Sequence, residues 1–338
     1  MLDLVPLDAA DPAAMAAWHA TYQTADRHGR PHATPFAAEE LRPLFLATDL
    51  GERVLPFSGY AGGLLVCVGR LELPLRDNLH LAGVDVHTHP DHRRRGHGSA
   101  MLAHLTRLAQ EHGRRTLEAN ASTPYAGAAD GRGHPNADFL LHRGFRHALG
   151  DVMRVLDLPA DEAILRGLAE QAAPHHAAYA LRQFAGPVPE DVVDAFGELI
   201  GTLITEAPMG GLELEQERFD ADRIRRDEKL LADSGRTKYT TLAVAPDGTL
   251  AAYTEIVVAG HDGGRWFQWG TLVRPEHRGH RLGVATKALN LLWLQHERGD
   301  GWQLVTYNAD VNRHMIAVNE AMGFRPVERM GEFQKQLG

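Results

Sequence analysis

Residues 84–102, "VDVHTHPDHRRRGHGSAML", carry two incompatible chemistries. His87, His89, Asp91 and His92 spell H-x-H-x-D-H, a spacing of nitrogen and oxygen donors that could hold a zinc ion and activate a water for hydrolysis. Arg93, Gly96 and Gly98 spell R-x-x-G-x-G. Glycines so placed let successive backbone N–H groups converge on one anion, and a helix starting just after them adds its positive N-terminal end, which is what a phosphate cradle needs.

An internal repeat decides between the two. The run "VHTHPDHRRRGHGSAMLAHLTRLAQEHG" and the later "NADFLLHRGFRHA" reappear as "TLVRPEHRGHRLGVATKALNLLWLQHERG" and "NRHMIAVNEAMGFRPV". In the second copy His87 and His89 become Leu272 and Arg274, whereas Pro, an acid, His and Arg survive. Arg93, Arg94 and Arg95 would also repel a dication held beside them. The phosphate reading therefore stands, and His87 and His89 read as polar positions at a strand end. A dinucleotide-binding turn is excluded: the third glycine of G-x-G-x-x-G is Met101, and a charged run separates the strand from Gly96.

The elements that must position the loop follow from periodicity. Ala100, Met101, Leu105, Leu108 and Ala109 recur at helical spacing, as do Leu289, Leu292 and Trp293, and Gly113 and Gly299 stop the two helices. "GGLLVCVGRLEL" and "LHLAGVDVHT" read as neighbouring strands ahead of the first loop, with "RRTLEANAS" after its helix. "TTLAVAPDGTLAAYTEIVVAG" with "GRWFQWGTLV" reads as three strands around a Pro-Asp-Gly turn, and "GWQLVTYNA" follows the second helix. "MRVLDLP" is expected to close the first sheet, and the boundary falls at 160–177: a first domain over 1–159, a linker helix, and a second domain over 178–338. Segments 125–136 and 205–220 read as loops that would line an acceptor site.

Composition bounds the partners. With 338 residues, two domains are expected. A net charge of -9 and only four lysines argue against a nucleic-acid binder. No apolar run is long enough to span a bilayer and the N-terminus lacks a basic leader, so a soluble, cytoplasmic protein without a membrane partner is expected. Cys67, alone in an apolar run, is expected to be a buried strand residue.

The repeated unit, a strand, Pro-[Asp/Glu]-His-Arg, a glycine loop and helix, a strand, then Asn and Gly-Phe, resembles the GNAT superfamily of acyl-CoA-dependent N-acyltransferases in its tandem form. The resemblance implies an α/β (α+β) chain of two GNAT-like domains, each a mixed, mostly antiparallel sheet flanked by helices. It implies acetyl-CoA (coenzyme A) as cofactor, with Arg93, Arg94, Arg95, Gly96, His97, Gly98 and Ser99 around the pyrophosphate. Pantetheine would lie between the strands "VDVHT" and "RRTLEANAS", with backbone groups near Val86, His87 and Thr88 holding the thioester. In the second half the corresponding residues are Leu272, Val273, Arg278, Gly279, His280, Arg281, Gly283, Val284 and Ala285. Two registers are possible there. The helix period favours the one that sets His280, Gly283 and Ala285 on Arg93, Gly96 and Gly98, and matches Leu289 and Leu292 to Leu102 and Leu105.

The resemblance further implies transfer to a primary amine of a small molecule or peptide, which needs a base for the amine and an acid for the thiolate. The tyrosine that serves many members as acid is replaced by Leu140 and Asn319, leaving Tyr307 or Tyr125. Glu255 and Glu118, acids interrupting apolar strands, are the main candidates for the base, with Asp85 and His314 behind them. The competing readings are a non-catalytic acyl-CoA-binding module and, more remotely, a zinc hydrolase. Oligomeric state is open.

Overall fold

The computed structural model describes residues 2–48, 50–202 and 208–338. Contacts divide the chain into two compact units, one of residues 1–150 with 210–215 and 328–338, the other of 151–209 with 216–327. Strands are numbered β1 to β12 and helices α1 to α9 in chain order.

The first unit's sheet runs β1 (Asp3–Pro6), β2 (Glu52–Ala61), β3 (Leu64–Pro74), β4 (Leu81–Thr88), β5 (Thr116–Pro124) and β12 (Arg325–Gln336). Gly62 and Gly63, both at positive φ, make the tight β2–β3 turn that matches the twist of its strands. Helix α1 (Pro12–Arg27) starts where the Asp11 carboxylate accepts the Ala13 N–H and Pro12 occupies the first turn. With α2 (Ala38–Leu46) it covers one face, burying Met15, Trp18, Tyr22 and Leu41 against Val68. On the other face α3 (His97–Glu111) and α4 (Pro135–Leu141) bury Met101, Leu102, Leu105, Ala137 and Leu140 against Cys67, Val84, Leu117 and Phe333.

The second unit's sheet runs β6 (Arg146–Asp157), β11 (Gln303–Ala309), β10 (Arg265–Val273), β9 (Leu250–Ala259), β8 (Arg236–Val244) and β7 (Ala180–Ala185). The Pro-Asp-Gly turn joins β8 to β9, with the Asp247 carboxylate accepting the Thr249 N–H. Helices α5 (Glu162–Ala172), α8 (Leu282–Arg298) and α9 (Arg313–Ala321) pack on one face around Leu165, Leu291 and Leu304. Helices α6 (Val193–Gly201) and α7 (Ala221–Asp233) pack on the other around Phe196, Ile224 and Tyr253.

Each unit completes its sheet with a strand from the other half of the sequence. β12 pairs antiparallel with β5 from Glu328↔Pro124 to Gln336↔Thr116. β6, expected to close the first sheet, instead pairs with β11 from Gln303↔Asp157 to Ala309↔Asp151. The units are therefore divided otherwise than by a single cut at 160–177, because strand periodicity records a strand and one buried face but not its partner. Helix α5, the expected linker, lies in the second unit and packs on α8. Of the expected loop 205–220, residues 205–207 lie outside those described, and 210–215 belong to the first unit, where the Gln336 amide donates to Glu213.

The exchange makes a prediction. A fragment of residues 1–159 leaves β5 as a raw edge and removes Phe333, which is 1% exposed in the core and alone contributes about 1.5–3 kcal/mol of burial. It is expected to be insoluble or molten by near-ultraviolet circular dichroism, and joining residues 328–338 to it through a flexible linker is expected to restore a cooperative unfolding transition.

Candidate active site

In the first unit β4 and β5 separate. Their parallel pairing covers only Leu81–Gly83 with Thr116–Glu118, whereas β4 stays paired with β3 to Thr88↔Cys67. The His89 N–H donates to the Val66 carbonyl (2.9 Å), and alternation along an antiparallel ladder then turns the N–H groups of Val86 and Thr88 away from β3 into the opening. The chain next makes one short turn (Pro90–His92), passes Arg94 at φ 63 and Gly96 at φ 86, and enters α3. No side chain caps α3, so its first N–H groups stay available to an anion. Space is tight at Gly98, where a Cβ would stand 3.1 Å from Thr88 Oγ1 and 3.3 Å from the Phe139 ring.

The arginines around the loop divide their work. Arg93 is turned inward: its Nε donates to the Thr88 carbonyl (3.2 Å) and its guanidinium to the Ala25 carbonyl (3.0 Å), so it fixes the loop to α1 and β4. Arg94 lies close enough to Arg143 for their charges to oppose, and Arg95 reaches His92 Nδ1 (3.5 Å) near His97 at the start of α3. A third cation comes from the end of α4, where Arg143 stacks on the Phe139 ring (3.8 Å) and donates to Ser99 Oγ on α3. Sequence reasoning missed Arg143 and Phe139; the signal was an aromatic and an arginine on the helix that precedes Gly144-Phe145.

On the sheet face opposite α3, β3, β4 and β5 present Arg70, Glu72, Asp85, His87 and Glu118. Arg70 Nε lies 3.1 Å from Glu72 and 3.3 Å from Asp85. Burial opposes ionisation of Asp85, but His87 and Arg70 together hold its carboxyl well below the usual carboxylate range. Glu118 accepts from the Gln334 amide (2.7 Å), and burial raises its pKa. His87 thus points away from the loop, while His89 accepts the Asp91 N–H and leans on the His92 ring. Cys67 is a buried thiol 3.4 Å from Thr88 Oγ1, pushed up to about 11 by burial.

The second unit repeats the geometry with different chemistry. β10 and β11 pair in parallel only from Arg265↔Gln303 to Gln268↔Thr306, then part at a bulge. The short turn Pro275–His277 leads through Gly279 at φ 86 and Arg281 at φ 54 into α8. Residue for residue, Arg278 matches Arg93, Gly279 matches Arg94, Arg281 matches Gly96 and Gly283 matches Gly98. This corrects the register that set His280, Gly283 and Ala285 on the motif: Ala285 stands one turn position deeper, where α3 has Ala100. The helix period misled because α8 is buried around most of its circumference, and Lys287 and Asn290 occupy the core positions of Leu102 and Leu105.

This second loop is held by its own unit. His280 Nδ1 lies 3.0 Å from the His175 carbonyl, Arg281 donates to the Gln171 carbonyl, and the Tyr179 hydroxyl meets His277 Nδ1 at 3.0 Å. Val273 ends β10 within an apolar cluster, Leu272 packs with Phe196 and Tyr253, and Val284 borders the α8 core. Of the expected catalytic groups, Glu255 is buried in an ion pair with Lys238 (2.8 Å). Tyr307 packs against Met153 and Val305. Asn319, fully buried, donates to Asn308 Oδ1, which also receives Arg154. Glu118 lies in the first unit, and Glu255, Tyr307 and Asn319, in the second, have separate partners there.

The sequence profile described as the Acetyltransferase (GNAT) family matches residues 14–129. A tandem GNAT protein from the clavulanic acid biosynthesis pathway is 29% identical with a TM-score of 0.82, over 100% of this chain and 99% of that one. A GCN5-related N-acetyltransferase from Sphaerobacter thermophilus shares the fold at 15% identity and TM-score 0.65, over 99% and 95%. A search of curated proteins finds no match. Residues 14–129 thus match the GNAT acetyltransferase family. The chain as a whole has a mixed α/β fold like that of the tandem GNAT protein.

Burial holds Lys287 near neutrality, its pKa lowered from 10.5 to about 7. The unfolded chain therefore binds the extra proton between about pH 7 and 10.5, so this group's destabilising effect is fully present below pH 7 and fades as pH rises to 10.5. Lys287→Leu is expected to raise the unfolding free energy most below pH 7, with the gain shrinking through that window in denaturant titrations; a gain independent of pH would contradict the buried-amine account.

Proposed function

We propose that the chain is an acetyl-CoA-dependent N-acetyltransferase acting in the cytoplasm on a primary amine of a small molecule or peptide, and that the first unit holds the coenzyme. The observation that carries this reading is the uncapped start of α3 beside the β4–β5 opening, ringed by Arg94, Arg95 and Arg143. A diphosphate fits there: backbone N–H groups from Gly96 to Ser99 would meet its oxygens and the three guanidinium groups its charge. The N–H groups of Val86 and Thr88 would polarise an acyl carbonyl lying in the opening, where bound coenzyme would supply a thioester for attack by the amine. The family supports acyl transfer in general.

The residues of the second unit fit a coenzyme less well. Arg281 replaces a glycine at the loop's strained position, and the loop is engaged by His175, Gln171 and Tyr179. A non-catalytic role is the reading these contacts favour for that unit alone.

The test is coenzyme affinity by calorimetry. Gly98→Trp drives an indole into Phe139 and Thr88 and is expected to weaken acetyl-CoA binding at least about 100-fold, roughly 2.7 kcal/mol. Gly283→Trp at the matching position is expected to leave it within about threefold; the reverse ranking would move the site to the second unit.

A further inference from the structure

Resting on that reading, we infer that His87 is the general base for the acceptor amine in the first unit, and that Asp85 is the positioning residue that holds its imidazole.

The location comes from the two faces of β4. Ala82 and Val84 point into the core under α3, and Thr88 Oγ1 faces Gly98. Asp85 and His87 therefore point the opposite way, onto the face covered by α1 and α2. Coenzyme entering at the α3 loop reaches the opening from one side of the sheet, which leaves the other side for the acceptor. His87 lies on that side, one residue from each of the two N–H groups assigned to the acyl carbonyl.

The chemistry comes from its partners. His87 Nε2 is 2.7 Å from Asp85 Oδ1, angled off a straight N–H···O line, and its ring meets the Tyr22 ring edge-on at 4.8 Å. Asp85 is in turn held 3.3 Å from Arg70 Nε, and Arg70 carries Phe36 over its guanidinium at 5.5 Å. An ionised Asp85 at Nε2 selects the tautomer protonated there and leaves the Nδ1 lone pair free. Charged groups around the neighbours of this pair are Asp26 on α1, beside Tyr22 and paired with Arg30, Glu52 on β2 and Glu72 on β3 near Arg70, and Glu118 on β5 near Glu72 and His80. Carboxylates outnumber cations among them, which suits an acceptor that arrives as an ammonium ion.

In the step itself, Nδ1 of His87 accepts a proton from the ammonium, the amine lone pair attacks the acyl carbon, and the C–S bond breaks as the amide forms. After attack the nitrogen loses a second proton, which the thiolate takes up, so the reaction yields amide, thiol and the proton left on His87, which passes to solvent. The second unit has no counterpart: Asp85 and His87 are matched by Gly270 and Leu272, and the Tyr253 side chain fills the space beside Gly270.

The experiment compares two nucleophiles with acetyl-CoA: the fastest alkylamine from an amine panel, protonated at neutral pH, and methoxyamine, almost wholly unprotonated there. His87→Gln is expected to lower kcat for the alkylamine about 10²–10⁴-fold, but that for methoxyamine less than about tenfold, with acetyl-CoA affinity unchanged. Equal losses with both nucleophiles, or none, would overturn the assignment. If wild-type protein binds acetyl-CoA and turns over neither nucleophile, the parent reading fails and takes the base with it. Independently of turnover, ¹⁵N-histidine spectra at alkaline pH should show His87 as the Nε2-protonated tautomer in wild type and a mixture in Asp85→Asn; an Nδ1-protonated ring in wild type would refute the arrangement.

Discussion

Everything at the candidate site depends on two parallel strands ceasing to pair. After Gly83 and Glu118 no ladder joins β4 to β5, although β4 remains bonded to β3 for five more residues. Backbone donors in a sheet interior carry a cost when left without partners, so strands that part in this way need a ligand or water between them. The opening also sets the division of labour between the faces. One side has the helix start and its arginines, the other the Asp85–His87 pair, and only along β4 do the two come within a residue of each other.

The duplicated unit acts as an internal control. It keeps the strand separation, the short turn and the positive-φ positions, which shows that these belong to the fold. What it loses is chemical: Arg281 for Gly96, Gly270 for Asp85, Leu272 for His87, and a loop fastened by His175 and Gln171. A buried lysine and asparagine stand where the first unit has two leucines. The second unit keeps the architecture under weaker chemical constraint, and it supplies β6 to its own sheet while the chain's last strand completes the first.

Much of this was legible in the sequence. The loop, its helix, the flanking strands and the duplication follow from glycine placement and apolar spacing, and comparing the copies removed the zinc reading of His87 and His89. Three things were not. Strand exchange leaves no trace in period-2 alternation, so "MRVLDLP" looked like the end of the first sheet. The register of the second loop was hidden because a helix buried on nearly all sides has no apolar stripe to align. The partners of Glu255, Tyr307 and Asn319 lie on other elements, as Ser99 lies on another element from Arg143, and only the fold brings them together. His87 was noticed for its type and read as a polar position at a strand end; the face its side chain takes and its neighbours there emerge only from the packing of β4.

The central claim is that the intact loop of the first unit, and not its altered copy, holds the coenzyme. The most direct measurement is the stoichiometry and position of bound coenzyme A, by calorimetry on the full chain followed by a crystal structure of the complex. The account predicts one coenzyme per chain, its diphosphate on the N–H groups of Gly96 to Ser99 and its pantetheine between β4 and β5. A single coenzyme seated at Arg278 to Gly283, with the first loop empty, would contradict it.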